Sequence, residues 1–262
     1  MLERKNLKEM LKNGEMLCGL TCQLTDPTVV EIAAIAGFDY VRIEGEHAAP
    51  DFSLIRSFVR TGDGLGIPII MRVTRTSDLT ALMDLGVAGI QIPHMQSAEQ
   101  AKEIVDLIKY APVGMRGYAL GRRQQYGKIP FREYYEKVKD ETLLIVQIED
   151  KKGLEHAEEI AAVEGVDVIC TGKGDLSQAM GVIGDVYNPL VDEAENRVMA
   201  AAAKYGKPCL VVGNNREHWL ELVTKKNVAM AEYPWDVELL LNAAIEARKG
   251  MEYLKDARAG KK

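Results

Sequence analysis

No apolar run in this 262-residue chain approaches the ~20 residues that a membrane-spanning helix needs. The opening Met1-Leu2-Glu3-Arg4-Lys5 starts a charged amphipathic segment rather than a secretion signal. A basic face is missing as well. The formal charge of -6 and a pI near 5.4 argue against nucleic acid or an anionic membrane as partner. The one basic cluster, 255–262, reads as a flexible, solvated tail. No G-x-G-x-x-G follows the first strand pattern, which weakens a dinucleotide-binding reading. The four cysteines lack zinc-site spacing. Cys18 and Cys22 stand four apart, Cys170 and Cys209 lie within apolar runs, and all four read as buried free thiols of a cytoplasmic protein. Phenylalanine and tryptophan are scarce, and there is no low-complexity stretch, internal repeat or evident second domain.

What is present is an alternation. Short apolar runs at 16–21, 40–43, 68–73, 89–92, 143–148, 166–171, 208–212 and 228–231 predict eight strands. An opening helix is expected at 6–11. Helical patterns follow at 27–36, 52–61, 78–85, 97–109, 154–163, 192–205, 217–225 and 237–249. Strands bounded by Gly and Pro with helices between them imply a parallel sheet, and eight such units imply a single (β/α)8 TIM barrel over 1–262. The rhythm breaks at 110–141, which holds Gly114, Arg116, Arg122, Arg123 and several tyrosines. A connection of that length is expected to act at the active site or at a subunit contact.

In such a barrel the chemistry collects at the C-terminal strand ends. Those ends supply Gln23, Glu44 to His47, Arg72, His94, Gln147, Glu149, Asp150, Lys173, Gly174, Asp175, Ser177, Asn214, Asn215, Glu232 and Tyr233. Alternation puts Arg42 on the face of Glu44, and Gln147 on that of Glu149. Glu149 and Asp175 could chelate Mg2+ or Mn2+, ions that complete an octahedron with water or substrate oxygens. Gly172 and Gly174 would let backbone N–H groups approach an anionic ligand. Plainer readings stand beside these. A strand-end Glu can serve a structural ion pair, His94 a loop contact, and Arg116 either a loop anchor or a substrate clamp. His156 and His218 read as surface.

Taken together, Ala36-Gly37-Phe38-Asp39 leading into Glu44-Gly45-Glu46-His47, then Met71-Arg72, Asp84-Leu85-Gly86 and Ile92-Pro93, form an ordered series. It continues through Pro112-Val113-Gly114-Met115-Arg116-Gly117, Val146-Gln147-Ile148-Glu149, the stretch 172–177 and Met180-Gly181. In order and spacing the series resembles the HpcH/HpaI aldolase family, the metal-dependent class II pyruvate aldolases. The resemblance implies that Glu149 and Asp175 hold a divalent metal (Mg2+, Mn2+ or Co2+) and that Arg72 sits over the keto oxygen of pyruvate. It implies His47, oriented by Asp84, as the acid/base, and Gln147, Gly174 and Asp175 as substrate contacts. It also implies a homo-oligomer, trimer or hexamer, with the C-terminal helix swapped between subunits, acting on pyruvate and an aldehyde.

The chain departs from that family at Glu44, where Asp is usual, at Lys173-Gly174, where Pro-Ala is usual, at Arg42, and at the end of the last strand. Arg42 is expected to pair with Glu44 or to meet an acidic substrate. Three other readings remain: a Schiff base at Lys173, a related oxo-acid or acyl-CoA lyase or decarboxylase, and a non-catalytic metabolite-binding barrel.

Overall fold

A computed structural model of the chain describes residues 4–260 apart from 49, 214 and 226. Eight parallel strands close into a barrel in chain order: β1 (Leu17–Cys22), β2 (Tyr40–Ile43), β3 (Ile69–Arg72), β4 (Gly89–Ile92), β5 (Leu143–Ile148), β6 (Val168–Thr171), β7 (Cys209–Val212) and β8 (Val228–Tyr233). The seam between β1 and β8 pairs Leu17 with Met230 and Gly19 with Glu232. The alternating face of each strand sorts its side chains into two cores. Inside the barrel Leu17, Tyr40, Ile70, Leu143, Ile145, Val168, Leu210 and Met230 pack together, with Leu7 of α1 (Leu7–Lys12) among them. Outside, the strands bury Val41, Ile69, Ile90, Val146 and Ile169 against the helices.

The helices form where apolar residues recur on one face between defined caps. In α3 (Phe52–Leu65) the Asp51 side chain accepts the Leu54 N–H at 2.8 Å, and Gly66 ends the helix at φ 75°. Ile55, Phe58 and Val59 then line its inner face, each worth ~1.5–3 kcal/mol of burial. Phe58→Ala would open a cavity at a cost of about 3–5 kcal/mol.

Three expectations need correction. The stretch expected as a helix at 154–163 is two short ones, α7 (Lys151–Glu155) and α8 (Ala157–Ala162), parted at His156. The tail expected from Lys255 is helical to Arg258, as part of α12 (Asp236–Arg258), while Lys261 and Lys262 lie outside the described residues. Cys18 is exposed, whereas Cys22, Cys170 and Cys209 are buried; all four are free thiols. No helix among the described residues is long and apolar enough to cross a membrane.

The barrel topology also places the long 110–141 segment. It follows α5 (Ala98–Ile108) and precedes β5, and helices run from the mouth back to the floor. The segment therefore lies at the N-terminal, floor end of the strands. There Arg122 pairs with Asp63, Arg123 Nη2 meets Glu141 at 2.6 Å, and α6 (Phe131–Val138) packs Tyr134 and Val138 with Tyr110. Within one chain the segment does not reach the active-site mouth.

Candidate active site

The mouth is built around the turn after β2. Glu44, wholly buried, accepts the Glu46 and His47 backbone N–H groups at 2.7 and 3.1 Å, so its carboxylate closes the turn that carries His47. The same carboxylate grips Arg72 at the end of β3, Nε at 3.1 Å and Nη2 at 2.6 Å, a bidentate fork. Burial opposes its charge, but Arg72 and Arg42 together outweigh that penalty and hold Glu44 below the usual carboxylate range.

A chain of polar contacts runs onward from Arg72. Its Nε lies 3.4 Å from Glu46, Glu46 meets His94 Nε2 at 2.9 Å, and His94 Nδ1 lies 3.2 Å from Glu149 at the end of β5. His94 adopts φ 53°, a left-handed conformation uncommon for a side-chain-bearing residue. In it the His94 N–H donates to Glu149 Oε1 at 2.8 Å. Strain of this kind persists only where the surroundings hold it. Gln147 Nε2 donates to the other Glu149 oxygen, and Gln91 Nε2 in turn donates to Gln147 Oε1 at 2.5 Å. Both ends of the Gln147 amide are thus engaged. Its place is beneath Glu149, steadying it, rather than against a substrate.

Glu149 is 1% exposed, and burial pushes its pKa above the ordinary carboxylate value, with Asp175 adding to the rise. Asp175 stands exposed in α9 (Lys173–Ala179), which opens directly after β6. Among the described residues no lysine or arginine pairs with either carboxylate. A Cβ at Gly172 would strike Glu149 Oε2 and Gln147 Nε2, so glycine there lets the carboxylate and the amide keep these positions. No group of three or more His, Cys, Asp or Glu among the described residues gathers into a metal site. Two uncompensated carboxylates suit an ion that takes its other ligands from water and substrate, as Mg2+ does. On donor chemistry the residues fit a divalent cation.

Of the residues expected from the sequence, His47, Arg72, Gln147, Glu149, Gly174 and Asp175 all stand on the mouth end of the strands. Asp84 does not. It is the sixth residue of α4 (Leu79–Leu85), five positions before β4 begins, and so lies at the floor. There Arg116 Nη2 donates to it at 2.8 Å, which makes Arg116 a loop anchor. Within one chain His47 is 58% exposed and its imidazole faces Glu46 at 3.7 Å instead.

Lys173, expected in a Gly-flanked turn, is the first residue of α9. Its ammonium meets Asp192 at 3.1 Å and Glu195 at 3.4 Å on α10 (Pro189–Lys204), and it lies over the Tyr187 ring. His218, expected at the surface, is half-buried beside it at 3.4 Å. Asn214 lies outside the described residues. Two strand-end groups have partners that the sequence reading did not assign. Glu46 stands between two histidines and Arg72. Glu232 is buried inside β8.

Residues 18–243 match the family described as HpcH/HpaI aldolase/citrate lyase. A hydroxypyruvate/pyruvate aldolase of Delftia acidovorans is 35% identical over 214 residues, covering 80% of this chain and 79% of that protein. A 5-keto-4-deoxy-D-glucarate aldolase of Klebsiella pneumoniae is 31% identical over 204 residues, 77% of this chain and 79% of that one. The crystal structure of an HpcH/HpaI aldolase from Desulfitobacterium hafniense superposes with a TM-score of 0.86 at 30% identity, covering 94% of this chain and 96% of the other.

Proposed function

The chain belongs to the HpcH/HpaI aldolase/citrate lyase family, and from that premise we propose a divalent-metal-dependent aldolase that cleaves or forms 4-hydroxy-2-oxo acids through the enolate of pyruvate. The observation that carries the reading is the pair Glu149 and Asp175, two carboxylates with no lysine or arginine partner among the described residues, on the same rim as a rigidly held Arg72. They would hold Mg2+, Mn2+ or Co2+, which when bound acts as a Lewis acid toward the oxygens of a 2-oxo acid.

The chain's own groups do the rest. The N–H groups of Gly174 and Asp175, in the first turn of α9, have no acceptor within the helix and are assigned to the substrate carboxylate. Arg72 Nη1 has no protein partner among the described residues and supplies a fixed positive charge where the keto oxygen becomes an enolate. In cleavage His47 takes the proton of the C4 hydroxyl and the C3–C4 bond breaks. The aldehyde then leaves, and the bonding pair passes into the enolate. A proton added at C3 gives pyruvate.

A homo-oligomer, trimer or hexamer, belongs to this proposal. Asp84 can orient His47 only if a second copy of the chain brings its floor to this mouth. Exposed apolar residues of α12 (Leu240, Leu241, Met251 and Leu254) and of the floor segment (Met115 and Leu120) are surfaces that such an assembly would cover. Exchange of α12 between subunits would use the first of them. Four free thiols suit a cytoplasmic setting. The Schiff-base alternative is disfavoured by the ties of Lys173 to Asp192 and Glu195.

The test is exchange of the pyruvate methyl protons in D2O, followed by NMR with Mg2+, Mn2+ and Co2+ in turn. Exchange that requires a metal is the expected result, and none with any of the three would sink the reading. Sodium borohydride with pyruvate checks the alternative, since inactivation with added mass at Lys173 would replace the metal mechanism by a covalent one.

A further inference from the structure

The chain of polar contacts does not begin at the mouth. One layer deeper, where barrels of this kind are filled by Val, Ile and Leu, β2 and β8 bring Arg42 and Glu232 together across 190 residues of sequence. Arg42 Nε donates to Glu232 Oε1 at 2.6 Å. Thr21 Oγ1 accepts from Arg42 Nη2 at 2.8 Å and donates to the same carboxylate. The Tyr40 hydroxyl donates to Glu232 Oε2 at 3.2 Å, and its ring fills the space over Gly19, where a Cβ would strike it. Both charged residues are almost wholly buried, which removes the acidic-substrate role open to Arg42 in the sequence.

Such a pair is a poor way to stabilise a barrel. Well-packed apolar residues of similar volume usually do as well or better, because they avoid the desolvation of two charges. The return lies in the remaining nitrogen of Arg42. Its Nη1 reaches Glu44 Oε2 at 3.2 Å, the same oxygen that accepts Arg72 Nη2. Glu44 is therefore held from below by Arg42 and from the side by Arg72. The longer glutamate, where aspartate is usual in the resembling family, has the reach to meet both.

We propose that Arg42 and Glu232 are positioning residues, an internal ion pair that fixes the Glu44 carboxylate and through it the guanidinium of Arg72. Neither touches the substrate. The catalytic consequence rests on the aldolase reading; the geometric one does not.

The double variant Arg42→Met with Glu232→Leu removes the pair without leaving a lone buried charge. It leaves the buried Tyr40 and Thr21 hydroxyls without their acceptor, so its melting temperature should fall only modestly. Its kcat for metal-dependent exchange of pyruvate protons should fall on the order of 10- to 100-fold, as a displaced charge at the reacting oxygen implies, with KM for pyruvate nearly unchanged. Thr21→Val, a gentler change, should lower kcat in the same direction by less. Full kcat in either folded variant overturns the proposal, and so does a kcat that falls only in step with the melting temperature. A wild type that exchanges nothing refutes the aldolase reading instead. The positioning claim is then decided by the Arg72 Nε–H resonance, which must shift or broaden in the double variant; an unchanged resonance refutes it.

Discussion

At the floor of the barrel Arg4, Arg122 and Arg123 close on Asp63 and Glu141, while Lys8 and Lys109 close on Asp167. At the mouth and in the layer beneath it Glu232, Glu44 and Glu46 share two guanidiniums, those of Arg42 and Arg72, while Glu149 and Asp175 meet neither. The floor binds its acids with cations to spare. The mouth has acids to spare, gathered on the rim where Glu149 and Asp175 face no lysine or arginine. Ion pairs that close on themselves hold chain segments together, and a set left short of positive charge is prepared to receive it. The floor pairs tie the long 110–141 segment and the strand starts into the fold, whereas those of the mouth hold a reactive geometry.

Removing the uncompensated acids should have the largest effect. Glu149→Ala or Asp175→Ala should lower metal-dependent pyruvate proton exchange by about 10³-fold or more while the protein stays folded by circular dichroism. Retained exchange in either variant would erase the contrast between the two ends.

Glu44→Gln should cost about 3–5 kcal/mol at neutral pH, since it leaves two buried guanidiniums facing a neutral amide. The folded pKa of Glu44 lies below its unfolded value of 4.5, so its contribution is complete above that pH and fades as pH falls through the folded value. The stability gap between wild type and variant, read by denaturant unfolding, should be level from pH 7 to about 4.5 and close below it. A gap that widened on acidification would contradict the charge assignment.

On the floor, Asp167 accepts Lys109 Nζ at 2.5 Å and the Leu144 N–H at 2.8 Å, and meets Lys8 at 2.8 Å. Burial opposes its charge, yet Lys109 and Lys8 hold it below the usual carboxylate range. Asp167→Asn should lose stability on a similar scale, about 3–5 kcal/mol, because Lys109 would be left buried without its partner. Its exchange kinetics per folded molecule should match the wild type. A kinetic defect there would show that floor charges also serve the reaction.

The smallest signal tests whether the two ends meet in an assembly. Mixing unfolded Asp84→Ala and His47→Ala chains and refolding them together should restore part of the aldol cleavage that each lacks alone. No recovery would confine Asp84 to its pairing with Arg116.

The fold was legible because each strand is a short apolar run bounded by turn residues, and six of the eight were bounded to within one residue at both ends. The place of Glu149, Asp175 and His47 at the mouth was legible for a related reason: strand ends are where a barrel exposes side chains. The floor position of Asp84 could be read from the sequence too, since a residue just before a strand must lie there. The same argument locates the 110–141 segment. The pairing of Glu232 with Arg42 was not legible, on different grounds. Its strand looked finished at Ala231, and nothing local announces a partner on β2. Glu46 was overshadowed by its neighbours, because a sequence shows which residues crowd a turn but not which of them face one another.

Arg42 and Glu232 also constrain how this chain can change over evolutionary time. Glu232 without Arg42 strands a carboxylate in the barrel interior, and Arg42 without Glu232 keeps only Glu44, which Arg72 already holds, so each single step away from the pair weakens the interior. The two positions should behave as one heritable character, gained together and lost together. Tyr40 and Gly19 belong to the same unit, since the hydroxyl serves Glu232 and the missing Cβ makes room for the ring. Relatives with an aliphatic residue in place of Arg42 should carry a neutral one in place of Glu232, and a descendant of this protein reaches an aliphatic barrel interior only by changing both.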